Sequence, residues 1–189
     1  MSTKNIMIVG VGGQGTLLAS RILGNAVIRK GYDVKVSEVH GMSQRGGSVV
    51  TYVKFGDVVH SPIIDKGEAD IILAFECLEA YRALPWLKKG GKMIVNNQMI
   101  NPMPVITGAA DYPENIQDKL CEADHVIFID ALHLARKAGN VKAVNVVLIG
   151  VMAKNTEIPY EEWIDAIKTT VPAKFLDANL KAFDLGYHL

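Results

Sequence analysis

Two glycine-rich stretches carry residue types from which a binding site could be built. The first, Gly10-Val11-Gly12-Gly13-Gln14-Gly15, follows the apolar run 6–9 and opens directly into a helix pattern. Gly10, Gly12 and Gly15 satisfy G-x-G-x-x-G in the strand–turn–helix context the motif requires. A glycine at a strand end permits a tight turn, and the missing Cβ atoms let a ligand or another backbone approach closely. The helix that follows would aim its first N–H groups and its positive dipole end into that space, which suits a phosphate or a carboxylate. Gly10, Gly12, Gly13, Gln14 and Gly15 are therefore the candidate cofactor-contacting residues. The second stretch, His40-Gly41-Met42-Ser43-Gln44-Arg45-Gly46-Gly47, is a polar loop. Its candidate catalytic residues are His40, Gln44 and Arg45, the last because a guanidinium matches an oxyanion through its fork of donors. Both stretches follow early strands. In a doubly wound sheet the strand ends converge at one edge, which is where ligands bind. The same glycines would serve a subunit contact equally well, since they allow close packing against a protein or a small molecule.

Other chemistries lack their residues. There is no G-x-S-x-G for a nucleophile elbow, and residues 10–15 are not followed by the Lys-Ser or Lys-Thr of a phosphate-binding P-loop. His40, His60, His125, His133 and His188 fall in separate elements, and none has a metal-ligand spacing to another His or Cys, so no metal site is expected. Cys77 and Cys121 are the only cysteines. They form no C-x-x-C pair, and an iron–sulfur cluster usually needs four thiolates. Two free thiols fit a reducing cytosol, and a cytoplasmic protein is expected. Gly56-Asp57 with Asn96-Asn97 only superficially matches a thiamin-diphosphate signature, because the third glycine is missing and the gap is too long.

The chain has 189 residues with 20 basic and 20 acidic side chains, and this neutrality argues against nucleic acid or an acidic membrane as the main partner. It also removes self-repulsion as a barrier to association, so a partner subunit fits. No run approaches the roughly 18 apolar residues of a membrane helix. The first strand begins within about six residues, which leaves no room ahead of it for a signal peptide.

The elements that must position the two stretches follow from periodicity. Residues 5–10 read as a buried strand, and 14–30 as a helix with Leu17, Leu18, Ile22 and Val27 on its apolar face and Gly31 as its stop. Residues 33–39 alternate as a second strand, completing a β-α-β start. Glu38 then stands where a dinucleotide fold grips a ribose. Only about eight residues separate this strand from the alternating run 48–55, so the two should pair antiparallel, with no crossover helix between them. Residues 56–69 read as irregular, 70–75 as a central strand, and 76–84 as a helix ended by Lys88-Lys89-Gly90-Gly91. Residues 93–95 read as a strand, 98–113 as a long connection with a short strand around 104–106, 114–122 as a helix, and 125–129 as a strand. Asp130 is placed to cap a helix running to Lys137. The last third is helical: 143–154, apolar almost all round, then from Pro159 to about Thr170, then about 173–184 after Pro172. The expected fold is α/β: a doubly wound, Rossmann-like, mostly parallel sheet with an antiparallel pair after the second strand and a helical C-terminal third. One domain spanning residues 1–189 is the economical organisation.

On these residues the chain resembles the small, gamma-type subunits of 2-oxoacid:ferredoxin oxidoreductases. The resemblance rests on the turn at 10–15, on Glu38-Val39-His40-Gly41-Met42-Ser43-Gln44-Arg45-Gly46-Gly47-Ser48-Val49, and on Ala74-Phe75-Glu76 with Glu79-Ala80. Residues 84–91, Gly139-Asn140 and residues 145–150 extend it through nearly the whole chain. A free-standing chain of this length is most similar to the beta subunit of the indolepyruvate type, with the gamma subunit of pyruvate or 2-oxoglutarate types second. The resemblance implies oxidative decarboxylation of a 2-oxoacid, with coenzyme A as co-substrate and ferredoxin as electron acceptor. It implies thiamin diphosphate, Mg2+ and [4Fe-4S] clusters on a large alpha subunit, no cofactor in this chain, and no activity of this chain alone. An isolated copy could pair with itself through its docking face. A stand-alone nucleotide-binding regulatory protein is the alternative from a different class, resting on the glycine turn and Glu38.

Overall fold

The computed structural model describes residues 3–40 and 46–189, with His40 described by its backbone alone. Six strands form one sheet: β1 (Lys4–Val11), β2 (Asp33–His40), β3 (Ser48–Gly56), β4 (Ala69–Ala74), β5 (Leu87–Asn96) and β6 (Val126–Ile129). Their order is β2-β3-β1-β4-β5-β6. From β1 through β4 and β5 to β6 the pairing is parallel, whereas β3 is antiparallel to both its neighbours. The expected antiparallel pair is therefore present, and β3 enters the sheet between β1 and β2. The first and second strands of the opening β-α-β unit are parallel but do not touch.

The longer helices are α1 (Thr16–Arg29), α2 (Cys77–Ala83), α4 (Ile116–Cys121), α5 (Ala131–Lys137), α6 (Val144–Lys154), α7 (Tyr160–Thr170) and α8 (Leu176–Tyr187), with a single turn, α3 (Met103–Ile106), in the long connection. The central strands are apolar on both sides because both faces of the sheet are covered. Ile6 and Ile8 of β1 point into a core shared with α1, α5, α6, α7 and α8, while Met7 and Val9 point into a core shared with α2 and α4. Helix α6 has the polarity of a core element, as expected: residues 145–153 are all buried. It crosses α8 at backbone distance. A Cβ built on Gly150 would stand 2.3 Å from the carbonyl oxygen of Phe183, and one on Gly186 would stand 2.1 Å from that of Val147. Only glycine fits at either position.

Asp130 caps α5 as expected, its carboxylate accepting from the His133 N–H at 2.9 Å. Three local expectations are corrected. Residues 104–106 belong to α3 and not to a strand; Pro104 has the fixed φ of a first helical turn, and Ile106 is exposed, so no sheet neighbour calls for an extended backbone. Lys88-Lys89-Gly90-Gly91 does not end a helix but lies in β5, where pairing with β4 jumps from Ala69–Leu87 to Ile71–Lys92. Glycine makes that irregularity possible, since a Cβ on Gly91 would sit 2.9 Å from the Ala69 carbonyl oxygen. Leu17 is off the apolar face of α1 and exposed, and the buried face runs through Ala19, Ile22, Leu23, Ala26 and Val27.

Candidate functional site

The glycine turn and the end of the second stretch are joined by backbone. Val11 at the end of β1 lies opposite Ser48 at the start of β3. One step further, the N–H of Gly12 donates to the carbonyl of Gly47 at 2.8 Å, and the N–H of Gly46 donates to the carbonyl of Gly12 at 3.3 Å. The β1–β3 ladder thus continues past both strands into the two loops, and the structure brings together the stretches that the sequence paired. His40 ends β2 opposite Val49. Its side chain, and the whole of Gln44 and Arg45, lie outside the described residues.

The turn closes on itself through Gln14. The Gln14 Oε1 accepts from the N–H of Val11 at 2.7 Å, and its Nε2 donates to the carbonyl of Phe75 at 3.0 Å and to Oε1 of Gln98 at 3.4 Å. A Cβ on Gly10 would meet that Oε1 at 2.9 Å and the Phe75 Cβ at 3.0 Å, so the first glycine of the motif makes room for a side chain of the protein itself. Gly15 caps α1 with φ +85°, and its absent Cβ leaves space for Asn145, whose Nδ2 donates to the Gly15 carbonyl at 3.2 Å. Asn96 completes the floor, donating to the Phe75 carbonyl at 3.1 Å while its Oδ1 accepts from the N–H of Ala131. The N–H groups of Val11, Gly12 and Gln14 are all engaged within the protein. Glu38 is set one strand further from the turn, because β3 intervenes, and Thr51 beside it donates at 3.4 Å.

Beside the turn lies a feature that motif reading missed. Glu76 is fully buried. Its carboxylate accepts from the N–H of Glu79 at 2.9 Å, the N–H of Ile100 at 3.0 Å and the hydroxyl of Tyr112 at 2.5 Å. It caps α2 and pins the long connection over it. A buried charge costs little only when hydrogen bonds of this kind surround it. Burial, and then the bond to Glu76, drives the Tyr112 phenol far above its usual range. Burial, and then the Glu76 charge, pushes the Cys77 thiol up to about 11. Glu79, also buried, accepts from Ser48 Oγ at 2.5 Å and from Arg82 at 2.6 Å. The sequence signal was present: two glutamates three apart at a strand–helix junction, where a carboxylate satisfies the first free N–H groups.

Among the described residues, no group of three or more His, Cys, Asp or Glu side chains could hold a metal ion. Cys77 is buried and gives its thiol to the Asn96 carbonyl, while Cys121 is exposed. Two cysteines do not supply the four thiolates that an iron–sulfur cluster usually needs.

Residues 5–189 match the family described as pyruvate ferredoxin/flavodoxin oxidoreductase. Over 192 residues, covering 98% of this chain and 95% of the relative, the chain is 47% identical to the indolepyruvate oxidoreductase subunit IorB of Pyrococcus horikoshii. It is 28% identical to the 2-oxoglutarate synthase subunit KorC of Methanocaldococcus jannaschii, covering 98% and 93% of the two chains. The crystal structure of pyruvate oxidoreductase subunit PORC from Thermotoga maritima superposes with a TM-score of 0.76 at 20% identity, over 100% of this chain and 97% of that one, and shares the fold.

Proposed function

The chain belongs to the pyruvate ferredoxin/flavodoxin oxidoreductase family, and on that premise we propose that it is the small subunit of a 2-oxoacid:ferredoxin oxidoreductase of the indolepyruvate type. The observation that carries this reading is the 47% identity to an indolepyruvate oxidoreductase subunit along nearly the whole of both chains, against 28% for a 2-oxoglutarate subunit. The complex would oxidatively decarboxylate an aryl pyruvate to its coenzyme A thioester and pass two electrons to ferredoxin. Thiamin diphosphate, Mg2+ and [4Fe-4S] clusters belong, on this reading, on the large alpha subunit; the two cysteines of this chain are too few for a cluster. Among the described residues no helix is long and apolar enough to cross a membrane, and a cytoplasmic complex fits this.

The ladder between Gly12 and Gly47 supports a part for this chain's own residues. A turn tied into an adjoining loop gives a fixed backbone edge at the carboxyl end of the sheet. Gly10, Gly12, Gly13, Gln14 and Gly15 shape that edge, and His40, Gln44 and Arg45 complete the composite site with the partner. Arg45 would supply positive charge toward the 2-oxoacid carboxylate or coenzyme A. Donors placed toward developing charge contribute a few kcal/mol to a transition state.

The test is the Arg45→Ala variant in the complex co-expressed with its large subunit. Assembly retained with turnover of indolepyruvate lost supports the site reading. Assembly lost identifies a docking surface instead, and unchanged assembly and turnover defeat both. Comparing indolepyruvate, pyruvate and 2-oxoglutarate as substrates of the wild-type complex separates the indolepyruvate type from the second reading, a pyruvate or 2-oxoglutarate gamma subunit.

A further inference from the structure

At the opposite end of β1 from the glycine turn, a cavity of about 250 Å3 opens beside the bulged part of β5. Its floor is formed by the buried side chains of Ile6, Phe55, Ile71 and Ile158. Tyr32 stands against Phe55 with ring centroids 6.0 Å apart, which makes one wall aromatic. The mouth carries Lys4, Lys88, Lys89 and Lys92 against two acids, Asp70 and Glu157. Lys88 is held by Asp70 at 3.0 Å, and Lys92 donates to the neutral amide of Asn155 at 2.7 Å. Among the described residues, neither Lys4 nor Lys89 has a carboxylate partner. Lysines 88 and 89 reach this mouth because β5 bulges there, and Gly90 at the turn of the bulge has φ +77°.

The two halves of the cavity make different demands. Free ammonium groups attract an anion, but an inorganic anion leaves the apolar floor uncovered. A hydrocarbon covers the floor but leaves the ammonium groups unused. Sites for drug-sized ligands begin at about 300 Å3, so this one takes a smaller body. Ligands of open α/β sheets ordinarily bind at the carboxyl ends of strands, and this cavity lies at the amino ends, away from the turn described above. We propose that it binds a small aromatic carboxylate, with the ring system on Ile6, Phe55, Ile71 and Ile158 and the carboxylate at Lys4 and Lys89. The proposal does not depend on which 2-oxoacid the complex uses.

The full-length chain is titrated calorimetrically with indole-3-acetate, with inorganic phosphate and uncharged indole as comparison probes. The expected result is one saturable site for indole-3-acetate that weakens as ionic strength rises. Phosphate and indole should each bind at least tenfold more weakly. The Lys4→Gln/Lys89→Gln variant should also bind indole-3-acetate at least tenfold more weakly, and the Lys89→Gln variant alone should be intermediate. Absence of saturable binding overturns the proposal. So does unchanged affinity in the double variant. Equal affinity for phosphate reduces the cavity to a cation cluster, and equal affinity for indole reduces it to an apolar hollow; either result also overturns it.

Discussion

Ser48 donates its hydroxyl hydrogen to Glu79 at 2.5 Å, linking the first residue of β3 to helix α2 across the carboxyl end of β1. The other oxygen of Glu79 is held by Arg82 at 2.6 Å. The segment that leaves Gly47 is thus fixed twice, once by backbone to the glycine turn and once by side chain to α2. Ser48→Ala would leave a buried carboxylate oxygen without its donor, at a cost of about 1–3 kcal/mol. Ser48→Thr keeps the hydroxyl and should recover most of it. Urea unfolding of the three proteins reads the difference, and equal midpoints would mean that the contact contributes nothing.

Glycines in different settings should respond in opposite directions to alanine. At Gly186 the added methyl group collides with the Val147 carbonyl, so α6 and α8 must separate. The expected loss is at the upper end of the 1–3 kcal/mol seen for overpacked cores, or beyond it. Gly24, within α1, has nothing within 4 Å of an added Cβ. There alanine should stabilise the fold by about 0.4–1 kcal/mol, chiefly by restricting the unfolded chain. Thermal melts with opposite shifts support the packing account, whereas a destabilised Gly24→Ala counts against it.

The raised thiol of Cys77 gives stability a dependence on alkaline pH. In the unfolded chain it ionises near its ordinary 9.0, and in the fold near about 11. Between those values the unfolded state binds fewer protons than the folded state, so stability falls as pH rises. The contribution is complete below pH 9.0 and lost as pH climbs through about 11. Tyr112, also raised, acts in the same direction from about pH 10 upward. Denaturant midpoints from pH 8 to 11 should therefore fall less steeply in Cys77→Ala than in the wild type. Parallel curves would rule the thiol out. Native protein at pH 8 should also label at Cys121 and not at Cys77.

Gln14 should behave as a structural residue of the turn. Gln14→Ala leaves the Val11 N–H and the Phe75 carbonyl without this side-chain partner, a loss of about 1–3 kcal/mol. Gln14→Glu should be worse, because a carboxylate oxygen would then face the Phe75 carbonyl. NAD, NADP and FAD should not bind the isolated chain, since amides of the turn are taken up internally. Tight binding of NAD in calorimetry would favour the regulatory nucleotide-binding alternative.

Part of the fold is legible in local patterning alone. The strand–turn–helix at residues 10–15, the pairing of β2 with β3, the buried character of α6 and the Asp130 cap all follow from glycine placement, loop length and periodicity. Residues whose state depends on distant neighbours are not legible in this way. Val105 and Ile106 have strand-forming side chains, yet no sheet edge is there to receive them. Gly90-Gly91 resembles a helix stop until β4 is seen beside it. The entry of β3 between β1 and β2 follows from long-range pairing, which an eight-residue loop does not reveal. The Glu76–Tyr112 bond spans 36 positions and has no local signature beyond a glutamate at a helix start.

The close crossing of α6 and α8 also bears on how the chain is made. Helix α6 is buried along residues 145–153, and part of its cover, including Ala182 and Phe183, comes from α8, which is synthesised after it. Until those residues leave the ribosome, α6 has no partner on that side. An N-terminal part of the chain can form sheet early, but this core closes only once α8 has been made. The nascent chain therefore presents a sticky helix to chaperones until α8 emerges. A chain stopped after Pro172 should bind a hydrophobic dye that the full-length protein excludes.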